Sequence, residues 1–148
     1  MQVAIALFAR NTSLDAVGPY DAIQRVPSID VVFVGHRRGE VRSDNGMLGL
    51  TCDATFDEVT GPDVLIFPGG IGTRTLINDD VVLDWVREVH KHTIYTTSVC
   101  TGGLVLAAAG LSSARFRCSA ARPVAWSGCR RRRPSCRGPT AAVHDHRR

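Results

Sequence analysis

The segment TTSVCTGG (residues 96–103) joins a β-prone run to a helical run of small residues. A strand, then one nucleophile-capable residue, then glycines that open a helix is the pattern of a nucleophile elbow. The sharp turn raises the Cys100 side chain above the sheet edge, and the following helix directs its N–H groups at the sulfur, which stabilises negative charge there. The segment therefore predicts that Cys100 is a nucleophile, although an isolated cysteine at a strand end is also commonly a small buried hydrophobe.

Short apolar runs on either side of this elbow alternate with helical patterns. Strands are predicted at residues 3–8, 29–34, 64–67 and 93–99, and a hairpin at residues 40–51. Helices are predicted from Ser13 with a bend or restart at Gly18-Pro19, from Asn78 or Asp79, and over residues 101–109. This alternation predicts an α/β fold with a mostly parallel sheet, in which sites form at the carboxyl ends of the strands.

Three further segments follow predicted strands and can therefore converge on Cys100. Asp15 is a candidate proton donor or acceptor, and Thr101 is a candidate hydrogen-bond donor to substrate. The N–H groups of Gly69 and Gly70 are candidates for one half of an oxyanion hole that the Thr101 N–H would complete. The alternatives are a carboxylate that faces the helix dipole, an ordinary helix-start residue and a plain tight turn.

The five cysteines are odd in number and irregularly spaced, and no CxxC pair occurs. Neither a disulfide framework nor a zinc site is indicated, and we expect no metal. No apolar run reaches transmembrane length, and the N-terminus lacks the basic start of a signal peptide. We therefore expect a cytoplasmic protein that does not associate with membranes.

The net charge of +4 hides two different compositions. Residues 1–111 carry 8 basic and 13 acidic side chains, a net charge of −5, whereas residues 112–148 carry 10 arginines and 1 aspartate, a net charge of +9. The second segment contains no Leu, Ile or Met, so it predicts a disordered or poorly packed tail beyond an α/β domain that ends at residue 111. Its four consecutive arginines (residues 130–133) are one way to bind nucleic acid, but no aromatic interleaving supports that function.

The segments that carry a family resemblance lie in one order across residues 1–111. They are LDAVGPYD (14–21), VRS (41–43) with NG (45–46), DVLIFPGG (63–70), TSVCTG (97–102) and LVLAAAGL (104–111). Together they resemble the ThiJ/PfpI superfamily of class I glutamine amidotransferase-like proteins, closest to its isonitrile hydratases and AraC-regulator-associated domains. The resemblance implies a flavodoxin-like three-layer sandwich that is incomplete at the C-terminus. The family pattern normally continues with a Thr-Thr-His-Trp-like segment, and its absence suggests a truncated or frame-shifted C-terminal third.

The resemblance also implies a chemistry. Isonitrile hydratase-like members add water to an isonitrile to give an N-substituted formamide, without a cofactor. Carried onto this sequence, Cys100 would be the nucleophile and Asp15 its acidic partner, while Thr101, Gly69, Gly70 and Gly102 would hold the substrate. The implied partners are a small-molecule substrate and, as is common in the family, a second copy in a homodimer.

The sequence leaves three other interpretations open. The first is a non-catalytic ligand- or redox-sensing domain like those of AraC-type regulators, although no helix-turn-helix pattern is visible here. The second is a glyoxalase- or deglycase-like enzyme that uses the same elbow cysteine. The third is a fragment without activity, because loss of the last strands would leave the sheet open at an edge.

Overall fold

A five-stranded parallel sheet organises residues 1–111, the part of the chain that this computed structural model describes. The strands are β1 Gln2–Ala6, β2 Asp30–Gly35, β3 Gly39–Arg42, β4 Gly49–Cys52, β5 Ala54–Thr55, β6 Val64–Phe67 and β7 Tyr95–Ser98. The helices are α1 Ser13–Ile23, α2 Thr73–Leu76, α3 Asp80–His90 and α4 Gly102–Ala108, with a 3₁₀ turn at Phe56–Glu58. The sheet order is β5-β2-β1-β6-β7, and β3 pairs with β4 as a separate antiparallel hairpin. The α/β, flavodoxin-like prediction is confirmed.

Helices cover both faces of the sheet, so β1 at its centre is buried on both sides. Val3, Ile5 and Leu7 face α1, which contributes Ala16 to a shared apolar cluster. The alternate residues of β1 belong to a second cluster with α3 and α4. Burial on both faces explains why β1 reads as a continuous apolar run rather than an alternating one.

The predicted stripe on α3 packs into the second cluster. Val82, Trp85, Val86 and Val89 are buried, and the indole N–H of Trp85 donates to the Val59 carbonyl oxygen at 2.8 Å. Asp79 caps the helix by accepting a hydrogen bond from the Val82 N–H at 3.3 Å. The sequence prediction for this helix is confirmed.

Other local predictions need correction. Helix α1 continues through Pro19 as one element rather than restarting there, and the preceding Gly18 has no Cβ to clash with the proline ring. Its N-cap is Thr12 rather than Ser13, and no side chain caps it. The sequence analysis also missed β5 and the short helix α2, since neither segment is long enough to show a periodic pattern.

No helix within residues 1–111 has the length and apolar character needed to cross a membrane. The predicted tail over residues 112–148 and its run of four arginines lie outside the described residues.

Candidate active site

Cys100 occupies a strained turn between β7 and α4. Its φ is +53°, a left-handed conformation that few residues other than glycine adopt, and its side chain is exposed. A non-glycine residue in this region stores strain that the surrounding structure must hold in place, and such strain concentrates at functional sites. The predicted elbow is therefore present, and its sulfur is not buried as a core hydrophobe.

The elbow helix packs directly against the end of β6 through Gly102. A Cβ added at this position would lie 2.1 Å from the Phe67 carbonyl oxygen, so no larger residue fits. The Gly102 N–H donates to the Val99 carbonyl oxygen at 3.0 Å and helps to close the turn. Gly102 thus shapes the elbow, whereas its predicted contact with substrate stays a prediction.

Gly69 lies where three parts of the candidate site meet. A Cβ built on it would lie 2.8 Å from Asp15 Oδ2, 2.8 Å from Cys100 Cβ and 2.7 Å from the Thr101 nitrogen. Two atoms at that distance from one point are separated by no more than twice 2.8 Å, so the Asp15 carboxylate lies within 5.6 Å of Cys100 Cβ. The fold therefore brings together residues that are 85 positions apart in the sequence.

Asp15 is held in place by the backbone of the glycine turn. It lies in the first turn of α1, partly buried, and its Oδ2 accepts a hydrogen bond from the Gly69 N–H at 3.1 Å. This contact aims the carboxylate toward the elbow rather than back along its own helix. Asp15 therefore has a hydrogen-bond partner outside its own helix, and its predicted role in proton transfer stays a prediction.

Thr101 is bound to the other glycine of the turn. Its hydroxyl oxygen accepts a hydrogen bond from the Gly70 N–H at 2.9 Å and lies 3.2 Å from the Gly70 carbonyl oxygen. Gly70 adopts a φ of +135°, and a Cβ there would lie 2.6 Å from the Arg10 carbonyl oxygen. Both requirements explain the glycine at this position.

The N–H groups predicted to form an oxyanion hole differ in whether they already have a hydrogen-bond acceptor. The N–H groups of Gly69 and Gly70 already donate to Asp15 and Thr101, so neither is free to hold an anion without losing that bond. In contrast, the N–H groups of Cys100 and Thr101 have no acceptor within residues 1–111. These two groups at the start of α4 are the better candidates for stabilising a developing negative charge.

A cavity of about 270 Å³ opens beside the Cys100 side chain. Its lining residues are Thr12, Gly70, Ile71, Thr73, Arg74, Cys100, Thr101 and Leu104. The sequence analysis missed Thr12, Ile71, Thr73, Arg74 and Leu104. Three of these follow the Pro-Gly-Gly turn. The position of that turn after a buried strand was the only sequence signal that could have placed them near the site.

The other cysteine and the histidines of residues 1–111 do not join this site. Cys52 is buried, and burial raises the pKa of its thiol to about 11, with the neighbouring Asp53 carboxylate adding to the effect. His36 contacts Asp79 at 2.9 Å, and His90 contacts Thr96 at 2.9 Å. Within this part of the chain, no group of three or more His, Cys, Asp or Glu side chains is arranged to hold a metal ion.

These features define a class of α/β proteins. Its members carry a strained cysteine at a strand-to-helix elbow above a parallel sheet, with a carboxylate from the first helix beside that cysteine. The chain belongs to the DJ-1/PfpI family, which it matches over residues 1–121. The ThiJ/PfpI resemblance drawn from the sequence is thereby confirmed.

Individual relatives match about three quarters of the chain. It is 40% identical over 111 residues to an isonitrile hydratase of Pseudomonas putida, a match that covers 75% of this chain and 48% of that protein. A ThiJ/PfpI family protein from Pseudomonas syringae has a similar structure, with a TM-score of 0.71, 33% identity, and coverage of 74% of this chain and 46% of that one. Drosophila melanogaster DJ-1beta shares the fold, with a TM-score of 0.66, 20% identity, and coverage of 75% and 61%. The chain thus spans about half the length of its more similar relatives.

Proposed function

We propose that this chain uses Cys100 to hydrate an isonitrile to an N-substituted formamide. The single observation that carries the proposal is the meeting of Asp15 Oδ2, Cys100 Cβ and the Thr101 nitrogen around Gly69, each within 2.8 Å of one point. A nucleophile, a proton carrier and an anion-stabilising N–H are what the reaction requires. The 40% identity to an isonitrile hydratase supports this substrate class.

The reaction begins when the Cys100 thiolate attacks the terminal carbon of R–N≡C. That carbon takes a proton delivered through Asp15, which gives the thioimidate Cys–S–CH=N–R. The negative charge that develops on the substrate during the attack lies near the N–H groups of Cys100 and Thr101.

Water then adds to the thioimidate carbon while Asp15 takes up a proton from that water. Asp15 passes that proton to the nitrogen, and the tetrahedral adduct Cys–S–CH(OH)–NH–R forms. Its collapse breaks the carbon–sulfur bond, transfers the hydroxyl proton to Asp15, releases R–NH–CHO and restores the Cys100 thiolate. One water is consumed for each isonitrile, with no oxidation or reduction.

The test is formamide production by the purified 148-residue chain. It is mixed with tert-butyl isonitrile, and the formyl proton of the product is followed by NMR. We expect turnover by the wild type and none by Cys100→Ala, because the covalent intermediate cannot form. Cys52→Ala, which removes a buried cysteine outside the site, is the matched control and should retain turnover. A folded wild-type chain that yields no formamide from either tert-butyl isonitrile or isocyanoacetate, or a Cys100→Ala variant as active as wild type, would refute the proposal.

A sensing function or glyoxalase-like chemistry is the second candidate. The exposure of Cys100 favours the sensing function, because an accessible cysteine sulfur is readily oxidised. Conversion of Cys100 to sulfenic acid by dilute peroxide, without turnover of an isonitrile or of methylglyoxal, would favour a sensor. Consumption of methylglyoxal alone would favour the glyoxalase-like enzyme.

A further inference from the structure

Arg74 is the only Lys, Arg, Asp or Glu side chain among the residues that line the Cys100 cavity. It projects from α2, is exposed, and has no carboxylate within 4.0 Å among residues 1–111. Most other basic side chains in this part of the chain are paired: Arg25, Arg38, Arg42, Arg87 and Lys91 each contact an acidic residue. Arg74 therefore offers its hydrogen-bond donors to whatever enters the cavity.

The remaining walls of the cavity suit a small molecule that is partly apolar. Ile71 is 42% exposed and Leu104 also lines the space, while Thr12 and Thr73 complete the lining. A volume of about 270 Å³ accommodates a compact ligand rather than an extended one. The cavity thus combines a nucleophile, apolar contacts and one guanidinium group.

The guanidinium group of Arg74 favours an anion in the cavity over a neutral molecule of the same shape. Residues 1–111 carry 8 basic and 13 acidic side chains, so this part of the chain offers an anion no general attraction, and Arg74 is the positively charged side chain that lines the cavity. The planar guanidinium also matches a carboxylate by two parallel hydrogen bonds.

We infer that Arg74 makes the Cys100 cavity selective for small molecules that carry a carboxylate. This choice of substrate rests on the proposed function. If the chain hydrates isonitriles, its substrates are isonitriles that bear a carboxylate near the isonitrile group. Arg74 binds the carboxylate and leaves the isonitrile carbon to Cys100.

The first experiment measures selectivity without any hydration. Iodoacetate and iodoacetamide both alkylate a thiolate with loss of iodide, and they differ chiefly in charge. The modification rate of Cys100 is followed by mass spectrometry of the tryptic peptide 92–115, in which Cys100 is the only cysteine. The quantity of interest is the ratio of the iodoacetate rate to the iodoacetamide rate.

We expect this ratio to fall by about threefold to tenfold in Arg74→Met, since the contact is exposed and partly screened. Arg74→Lys should restore most of it, because the charge returns. Arg25→Met is the matched control, since it removes the same charge from an exposed arginine paired with Asp21 on α1, and its ratio should equal that of wild type. An unchanged ratio in Arg74→Met, or an equal fall in Arg25→Met, would overturn the inference.

The second experiment uses substrates and separates this inference from the proposed function. The kcat/KM for isocyanoacetate is compared with that for its neutral methyl ester, and we expect the acid-to-ester ratio to fall by about tenfold in Arg74→Met. Equal ratios in wild type and variant would refute the selectivity while leaving hydration intact. If neither compound is hydrated, the proposed function fails, and the alkylation ratio alone decides the role of Arg74. Circular dichroism of each variant confirms folding, and Arg74→Gln replaces Arg74→Met if that variant is unfolded.

Discussion

The Gly69 N–H donates a hydrogen bond of 3.1 Å to Asp15 Oδ2, and this contact ties the first helix to the turn beneath the nucleophile elbow. The absence of a side chain on Gly69 lets Cys100 and Thr101 approach the same point as the carboxylate. Asp15 Oδ2 and Cys100 Cβ therefore each lie 2.8 Å from the point where a Cβ of residue 69 would stand.

Replacing Gly69 with alanine should disrupt the site by steric conflict. The new Cβ would lie within 2.8 Å of Asp15 Oδ2 and Cys100 Cβ, so the carboxylate or the elbow must move. We expect a loss of about 1–3 kcal/mol in the free energy of unfolding, measured in urea, and slower alkylation of Cys100. Gly61→Ala is the control, because nothing lies within 4 Å of a Cβ there. Equal stability and reactivity in the two variants would contradict the geometry described here.

Replacing Asp15 with asparagine should separate proton transfer from positioning. The amide oxygen can still accept the Gly69 N–H, but the side chain can no longer carry a proton at physiological pH. We expect the rate of formamide production to fall by about 10²–10⁴-fold with little change in the unfolding curve. Asp21→Asn, an exposed position on the same helix, should leave the rate near that of wild type. An active Asp15→Asn variant would remove Asp15 from the mechanism.

The two cysteines of residues 1–111 should differ strongly in alkylation by iodoacetamide at pH 8. Burial raises the pKa of Cys52 to about 11, so at this pH little of that thiol is ionised, and the folded chain also blocks access to it. We expect Cys100 to react at least about 100-fold faster in the native protein. In urea the two peptides, residues 43–74 and 92–115, should be modified at similar rates. Comparable native rates would show that Cys52 is not buried as described.

Glu58 should make the stability of the protein depend on acid pH. Hydrogen bonds from Thr55 and Arg38 lower its pKa from 4.5 to about 2 in the folded state. Because the folded-state pKa is the lower one, the stabilisation is fully present above pH 4.5 and is lost as the pH falls toward 2.

The comparison of Glu58→Gln with wild type measures that contribution. Urea unfolding at pH 6 should show the variant to be less stable, and the difference should shrink at pH 3. Asp57→Asn is the control, because the Asp57 side chain makes no hydrogen bond within residues 1–111. A difference that stays constant between the two pH values would exclude this carboxylate as its source.

Much of the site was visible in the sequence because its signals are local. The elbow depends on a cysteine followed by a threonine and two glycines, and those residues dictate the turn and the helix start within a few positions. Asp15 was recognisable by its place after the first strand, since parallel strands bring their carboxyl ends to one edge. The family likewise followed from contiguous motifs over residues 1–111.

The roles of the two turn glycines were not readable in the same way. Whether the N–H groups of Gly69 and Gly70 face a ligand or a neighbouring side chain depends on Asp15 and Thr101, which arrive from distant parts of the chain. Arg74 was equally hidden, because the four-residue helix that carries it is too short for periodicity to show. A residue of this kind acquires its significance only from the cavity that other elements build around it.

The amino-acid sequence by itself established the parallel α/β class, the elbow at Cys100 and the membership of a family, because apolar runs, turn residues and short motifs act over a few positions. The tertiary structure alone decided which groups meet around Gly69, which N–H groups find no acceptor within residues 1–111, and which charge borders the cavity. Those outcomes depend on contacts between residues far apart in the chain, and no local pattern encodes the distances between them.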